Sequence, residues 1–154
     1  TTVNDITAQP EQDYPVLDTG EEDAEEILKA AADAYYDGGL KHISASSVWP
    51  NLDDYFIIDL RSATYYNAGH IPGAFQVNMA DLGYDEMLKY LPTDKPILVN
   101  CYTAHTSNHV VSILNALGYD AYNFLYGINA VTSNTDICKA NYSAPATNFP
   151  VVTP

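Results

Sequence analysis

Short apolar runs that alternate with helical patterns constrain the fold of this chain more than any other feature. "YFIIDL" (55–60) is an apolar stretch that ends on charged and polar residues, as a strand buried on both faces should. "AFQVN" (74–78), "PILVN" (96–100) and "DAYNFL" (120–125) read the same way, and "HISASSVWPNL" (42–52) opens the series with a very short strand and a helical turn around 47–52. Between them, "SATYYNAG" (62–69) reads as a short helix closed by Gly69. "DLGYDEMLKYL" (81–91) reads as a helix that Pro92 ends. Residues 107–117 form a largely buried helix outlined by Val110, Val111, Ile113, Leu114 and Leu117, with Gly118 as its stop. Strands that alternate with helices predict an α/β domain around a mostly parallel sheet of about five strands with helices on both faces.

Before this series, "TGEEDAEEILKAAADAYYDGG" (19–39) has the spacing of a helix. Thr19 and Glu22 stand at capping-box distance, and acidic residues in the first turn suit the helix dipole. Ala24, Ile27, Leu28, Ala31 and Tyr35 form its apolar stripe, expected to cap the sheet, and Gly38–Gly39 stops it. Residues 1–18 read as a loose polar arm, and 134–154, rich in Pro, Asn, Thr and Ala, as a tail that wraps the surface or stays loose. The expected organisation is an N-terminal arm and helical extension (1–41), an α/β domain (42–133) and a C-terminal tail (134–154).

The charge balance narrows the function. Twenty acidic side chains face six basic ones, for a net charge of −14, and Arg61 is the one arginine. Such a chain repels phosphate backbones and anionic membranes, so no nucleic-acid partner is expected. No apolar run approaches the ~18 residues that a membrane span needs. Two cysteines are too few for a disulfide scaffold. The chain starts without Met and shows no signal-peptide core, so its polar start is expected to follow a removed export signal or to begin a trimmed chain. Thirteen tyrosines and few lysines favour a periplasmic or secreted setting over a cytoplasmic one.

Cys101 follows the run 96–100 directly, and a helix is expected to begin near Ser107. Ligands of open parallel sheets sit beyond the carboxyl ends of strands. Residues 102–106 are expected to form a short turn, and the short polar side chains of Thr103, Thr106 and Ser107 suit a loop whose amides point inward beside the positive end of a helix dipole. Both features stabilise a thiolate or a persulfide anion; the competing reading is a buried structural thiol.

These pieces resemble a single-domain rhodanese. The resemblance rests on Asp59-x-Arg61 at a strand end, Gly69-His-Ile-Pro-Gly-Ala74, a strand ending in Cys101 with a short loop, Gly118-Tyr119 and the turn at Gly127, over about residues 42–132. It implies sulfur transfer in two half-reactions, with Cys101 as nucleophile and residues 102–107 as the substrate loop. It also implies a small sulfane-sulfur donor, a thiol or cyanide-like acceptor or a redox or sulfur-carrier protein, and no cofactor. The loop is similar to the Cys-Tyr-Thr-Gly-x-Thr-Ser variant associated with exported bacterial members. It departs from the common pattern in having Ala104 where many members have glycine, and no arginine at Tyr102 or Thr106. If position 104 needs positive φ, alanine costs about 1 kcal/mol there. An arginine-free loop also predicts weak thiosulfate binding and a preference for polysulfide or persulfide donors. Ser107 stands six residues after Cys101, where Cys-x5-Arg phosphatases have arginine, which argues against phosphoester chemistry.

Asp59 and Arg61 are expected to pair structurally, with substrate contact as the alternative, and His70 to be a hydrogen-bonded turn residue. His105 and His109, four apart, lack a nearby third metal ligand, so no metal is expected. Cys138 is inert or pairs with Cys101 on oxidation, and Asn141–Ser143 matches a glycosylation acceptor. Two readings compete with sulfur transfer: a non-catalytic rhodanese-like binding module, and a thiol-redox protein using Cys101 and Cys138.

Overall fold

The computed structural model describes residues 5–83, 86–139 and 146–154. Five parallel strands form one sheet: β1 (His42–Ile43), β2 (Phe56–Asp59), β3 (Phe75–Gln76), β4 (Ile97–Asn100) and β5 (Ala121–Phe124), in the order β1-β5-β4-β2-β3. The strands are uniformly parallel because each connection crosses a face of the sheet, and this is the expected α/β architecture.

Side chains of β2 and β4 alternate between two cores. Ile57 and Leu98 face one side, against α2 (Ala45–Val48), α3 (Ala63–Ala68) and α5 (Thr135–Cys138). Ile58, Ile97 and Val99 face the other, against Val110, Val111 and Leu114 of α4 (His105–Ala116). From β2 the chain turns outward to β3, and from β4 it turns the opposite way to β5. The carboxyl ends of β2 and β4 therefore flank a topological switch point, where a crevice must open.

Several local expectations are corrected. The first helix, α1, spans Ala24–Asp37, and Asp23 caps it by accepting from the amides of Glu25 and Glu26; Thr19 makes only a local turn with the Glu21 amide. A carboxylate directly before the helix outcompetes a hydroxyl four residues upstream, because an N-cap reaches only the first three amides. This helix packs on α4, not on the sheet, with Ser112 Oγ 3.4 Å from the Tyr35 hydroxyl. Only Ala31 of its stripe is buried, and Leu28 stays 62% exposed.

The helix expected over 81–91 is not formed. Two single 3-10 turns, Met79–Asp81 and Leu88–Tyr90, stand at its ends, and Tyr84 and Asp85 lie outside the described residues. Gly83, third in the pattern, weakens the helix. Helix α4 starts two residues earlier than expected, at His105, and Ile113 and Leu117 point largely outward.

The arm is not loose from Asp5 onward. Ile6 is buried, and Gln12 N–H donates to Lys89 O at 2.7 Å. The tail docks as well: α5 buries Ile137, Phe149 stacks on Trp49 at 4.6 Å, and Val152 pairs with His70 as an antiparallel bridge. The glycosylation acceptor at Asn141–Ser143 lies outside the described residues. No described helix is long and apolar enough to cross a membrane.

Candidate active site

Cys101 is the first residue past β4, almost completely buried. The chain then turns through Tyr102 and Thr103 to Ala104, which adopts φ 72° and ψ 0°, and enters α4. The left-handed residue lets a three-residue turn reverse the chain between strand and helix, and it is the position where the sequence offers alanine in place of glycine. Ala104 O accepts from the Asn108 amide at 3.2 Å. Among the described residues no acceptor is found for the backbone N–H groups of residues 102–107. Those of 105–107 belong to the first turn of α4, so they are the donors a helix N-terminus leaves open to an anion.

Ser107, the third residue of that helix, brings its Oγ to 3.2 Å from Cys101 Sγ. The sulfur therefore rests on the first turn of α4, inside the loop. Thr103 and His105 face each other across the loop, Oγ1 to Nδ1 at 2.8 Å, on its exposed side. Tyr102 turns away from the helix. Its hydroxyl accepts from the Ser62 amide at 3.2 Å, and its ring meets Tyr65 edge-on.

The turn after β5 clamps this loop from behind. Ile128 N–H donates to Cys101 O at 2.9 Å, and Asn129 Nδ2 donates to Tyr102 O at 2.6 Å. Gly127 lies so close that a Cβ there would stand 2.5 Å from Cys101 O and 2.8 Å from Thr103 N. Only glycine fits that approach.

Asp59 and Arg61 form a buried knot beside the crevice. Arg61 Nε and Nη2 donate to both Asp59 oxygens, Nη2 also to Gly69 O, and Nη1 to Ile137 O and Tyr65 O, at 2.7–3.3 Å. Asn100 Nδ2 adds a bond to Asp59 Oδ2 at 2.9 Å. All five guanidinium protons have protein acceptors, so Arg61 ties β2, α3 and α5 together and has no donor left for a substrate. His70 is buried, bonds to Tyr66 O through Nδ1 at 2.9 Å and stacks on the Tyr66 ring. Burial pushes its pKa below the ordinary value, against the weaker raising effects of the Tyr66 carbonyl and Asp59. Its partners, Tyr66 and Val152, make it a hydrogen-bonded turn residue.

The structure thus sets Ser107 Oγ against the Cys101 sulfur, turns Tyr102 to Ser62 and Thr103 to His105, and engages Asp59, Arg61 and His70 in hydrogen bonds within the scaffold. Cys101 and Cys138 form no disulfide, and Cys138 packs in the core on the α3 side of the sheet. Three neighbours of the loop were not foreseen. Asn123 and Asn129 lie in or after β5 with no spacing that marks them. Lys139, just after α5, places Nζ 5.5 Å from the Tyr102 ring centre, so the tail brings to this loop a cation that its own sequence lacks.

The rhodanese-like domain family matches residues 44–134. Among curated proteins, the thiosulfate sulfurtransferase GlpE of Pseudoalteromonas translucida is 36% identical over 93 residues, 58% of this chain and 87% of that protein. GlpE of Shewanella oneidensis is 33% identical over 64 residues, 42% of this chain and 61% of that protein. Among solved structures, a rhodanese-related protein from Thermoplasma volcanium superposes with TM-score 0.57 at 24% identity, covering 73% of this chain and 97% of that one. A rhodanese-like domain protein from Staphylococcus aureus gives 0.52 at 25% identity, over 58% and 88%. The strand order, the loop around Cys101 and these similarities agree: the chain belongs to the rhodanese-like family.

Proposed function

We propose that this rhodanese-type sulfurtransferase moves sulfane sulfur through a persulfide on Cys101. One observation carries the reading: the Cys101 sulfur, past the carboxyl end of β4, rests on the first turn of α4, within a loop whose amides find no acceptor among the described residues. In the first half-reaction Cys101 Sγ attacks the sulfane sulfur of the donor. The new Sγ–S bond forms as the donor's S–S bond breaks, and the leaving group departs with that electron pair, as sulfite from thiosulfate or as a thiolate from a persulfide. In the second, an acceptor thiol or cyanide attacks the terminal sulfur and Cys101 leaves as thiolate. The negative charge on the terminal sulfur is met by the amides of residues 102–107 and the dipole of α4.

The preferred donors on this reading are polysulfides and persulfides. The loop itself carries no arginine, Arg61 is fully engaged, and the chain's charge of −14 repels a dianion such as thiosulfate. A periplasmic or secreted setting, where such species meet exported proteins, is part of the same proposal.

Intact-mass measurement after incubation with thiosulfate and, separately, with polysulfide tests it. The expected result is a gain of about 32 Da, one sulfur atom, that needs Cys101 and is removed by cyanide. Cys101→Ser should show none. Absence of the adduct with either donor, on protein whose thiol is shown to be free, would overturn the assignment in favour of a binding module. Steady-state kinetics with a lower KM for thiosulfate than for polysulfide would overturn the donor preference.

A further inference from the structure

Ser107 has one hydroxyl proton and two neighbours that compete for it. Its Oγ is 3.2 Å from Cys101 Sγ and 2.6 Å from Asn123 Oδ1, and both Ser107 and Asn123 are buried. The orientation of the Asn123 amide is fixed from its other end. Nδ2 lies 3.2 Å from Ala104 O, which can only accept, and 3.5 Å from Asn108 Oδ1, which is 3.1 Å from His42 Nε2. Nitrogen must therefore face Ala104 and oxygen must face Ser107. An amide oxygen has no proton to give, so the 2.6 Å contact requires Ser107 to donate to Asn123. What Ser107 turns toward Cys101 is then a lone pair, and the contact at 3.2 Å is satisfied when the thiol S–H donates to Oγ.

We propose that Asn123 is a positioning residue that holds the Ser107 proton away from Cys101, disfavouring charge on Sγ and leaving that charge to the terminal sulfur of a persulfide. This deepens the sulfur-transfer reading and rests on it. In the free protein a thiolate would place its charge against an oxygen lone pair, or pull Ser107 round and strand the Asn123 oxygen. A persulfide avoids both costs. Its charge sits one atom further out, among the loop amides, and Sγ has become neutral. The network thus restrains the empty cysteine while tolerating the loaded one. With a persulfide donor the balance is complete: the Sγ–S bond forms, the donor S–S bond breaks, and the Cys101 thiol proton ends on the departing thiolate.

The test is the rate of Cys101 alkylation by iodoacetamide across pH, with the site read by peptide mapping, in wild type, Ser107→Ala and Asn123→Ala. The titratable side chains set around Cys101 are Tyr102 and His105 in its loop, Lys139 from the tail over the Tyr102 ring, Asp59 and Arg61 on the β2 side, and His42 through Asn108. All are retained in the variants, so their influence is common to the comparison. Ser107→Ala removes the acceptor of the thiol proton and leaves the tie between Asn123 and Ala104 in place. The expected result is alkylation about threefold faster at neutral pH, with the pH of half-maximal rate lower by about half a unit. Asn123→Ala, which frees the Ser107 proton to turn to sulfur, should shift in the same direction. Slower or unchanged alkylation in folded Ser107→Ala would overturn the proposal, since a serine that donates to Sγ would make its loss slow the reaction. Alkylation needs no sulfur donor, so this result stands apart from the fate of the persulfide assignment.

Discussion

Replacing Ala104 with glycine should stabilise the protein, although it removes a side chain at the candidate active site. Ala104 holds φ 72° and ψ 0°. A left-handed conformation costs an L-residue roughly 1–2 kcal/mol, because Cβ crowds the following carbonyl. Glycine escapes that cost but gives up about 0.5–1 kcal/mol through the greater freedom of its unfolded chain. The difference favours Ala104→Gly by about 0.5–1 kcal/mol. The backbone partners of this residue, the Asn108 amide and Asn123 Nδ2, bind its carbonyl oxygen and survive the change. For a chain of this length the gain corresponds to a rise in Tm of about 1–4 °C. Paired thermal melts and urea titrations measure it, with Ala104→Val as the opposite control, since a β-branched residue is still less tolerant of positive φ. A fall in Tm for Ala104→Gly, or a Val variant as stable as wild type, would refute the strain argument and imply that the loop relaxes out of the left-handed region in solution.

Three further outcomes follow from the same geometry. Gly127→Ala should destabilise by about 2–4 kcal/mol, from overpacking against the Cys101 and Thr103 backbone added to a φ of +59°; chemical denaturation reads this, and an effect below 1 kcal/mol would mean that the clamp yields. Arg61→Ala should cost about 3–5 kcal/mol, because Asp59 is left as a buried charge whose remaining side-chain partner is Asn100, and a near-neutral denaturation midpoint would contradict the closed knot. His70 has a folded pKa below its unfolded value, so the unfolded chain binds more protons and stability falls as pH drops below about 6.5. His70→Gln should flatten that acid limb in a Tm-against-pH series, whereas an unchanged slope would place the limb on other groups.

Much of the scaffold was legible in the sequence because it depends on short-range patterns. Runs such as 55–60 and 96–100 are too short and too apolar to be anything but buried strands once helices flank them. The place of Cys101 follows from the strand that ends one residue earlier. The helix pattern over 81–91 misled for an equally local reason. Its apolar spacing is real, and Leu88 and Leu91 are buried, but the single 3-10 turn Leu88–Tyr90, with Leu91 as its C-cap, buries them as well. The cap of α1 was misplaced by four residues for a local reason too: Asp23 with Glu26 three on offers a second capping pattern, and its carboxylate reaches the Glu25 and Glu26 amides.

By itself, then, the sequence determined the α/β alternation, the strand that delivers Cys101, and the pairing of Asp59 with Arg61 two residues on. Only the tertiary structure decided what surrounds the sulfur. Asn123 comes from a neighbouring strand, Gly127 from the turn after it, and Lys139 from a tail that composition alone reads as loose. Their contacts with the Cys101 loop span 16 positions of chain for the Ser107–Asn123 pair and 37 for the Tyr102–Lys139 pair, so no periodicity could connect them. The parallel order β5-β4-β2 lays those carboxyl ends side by side, and that is a property of the sheet and not of any one segment.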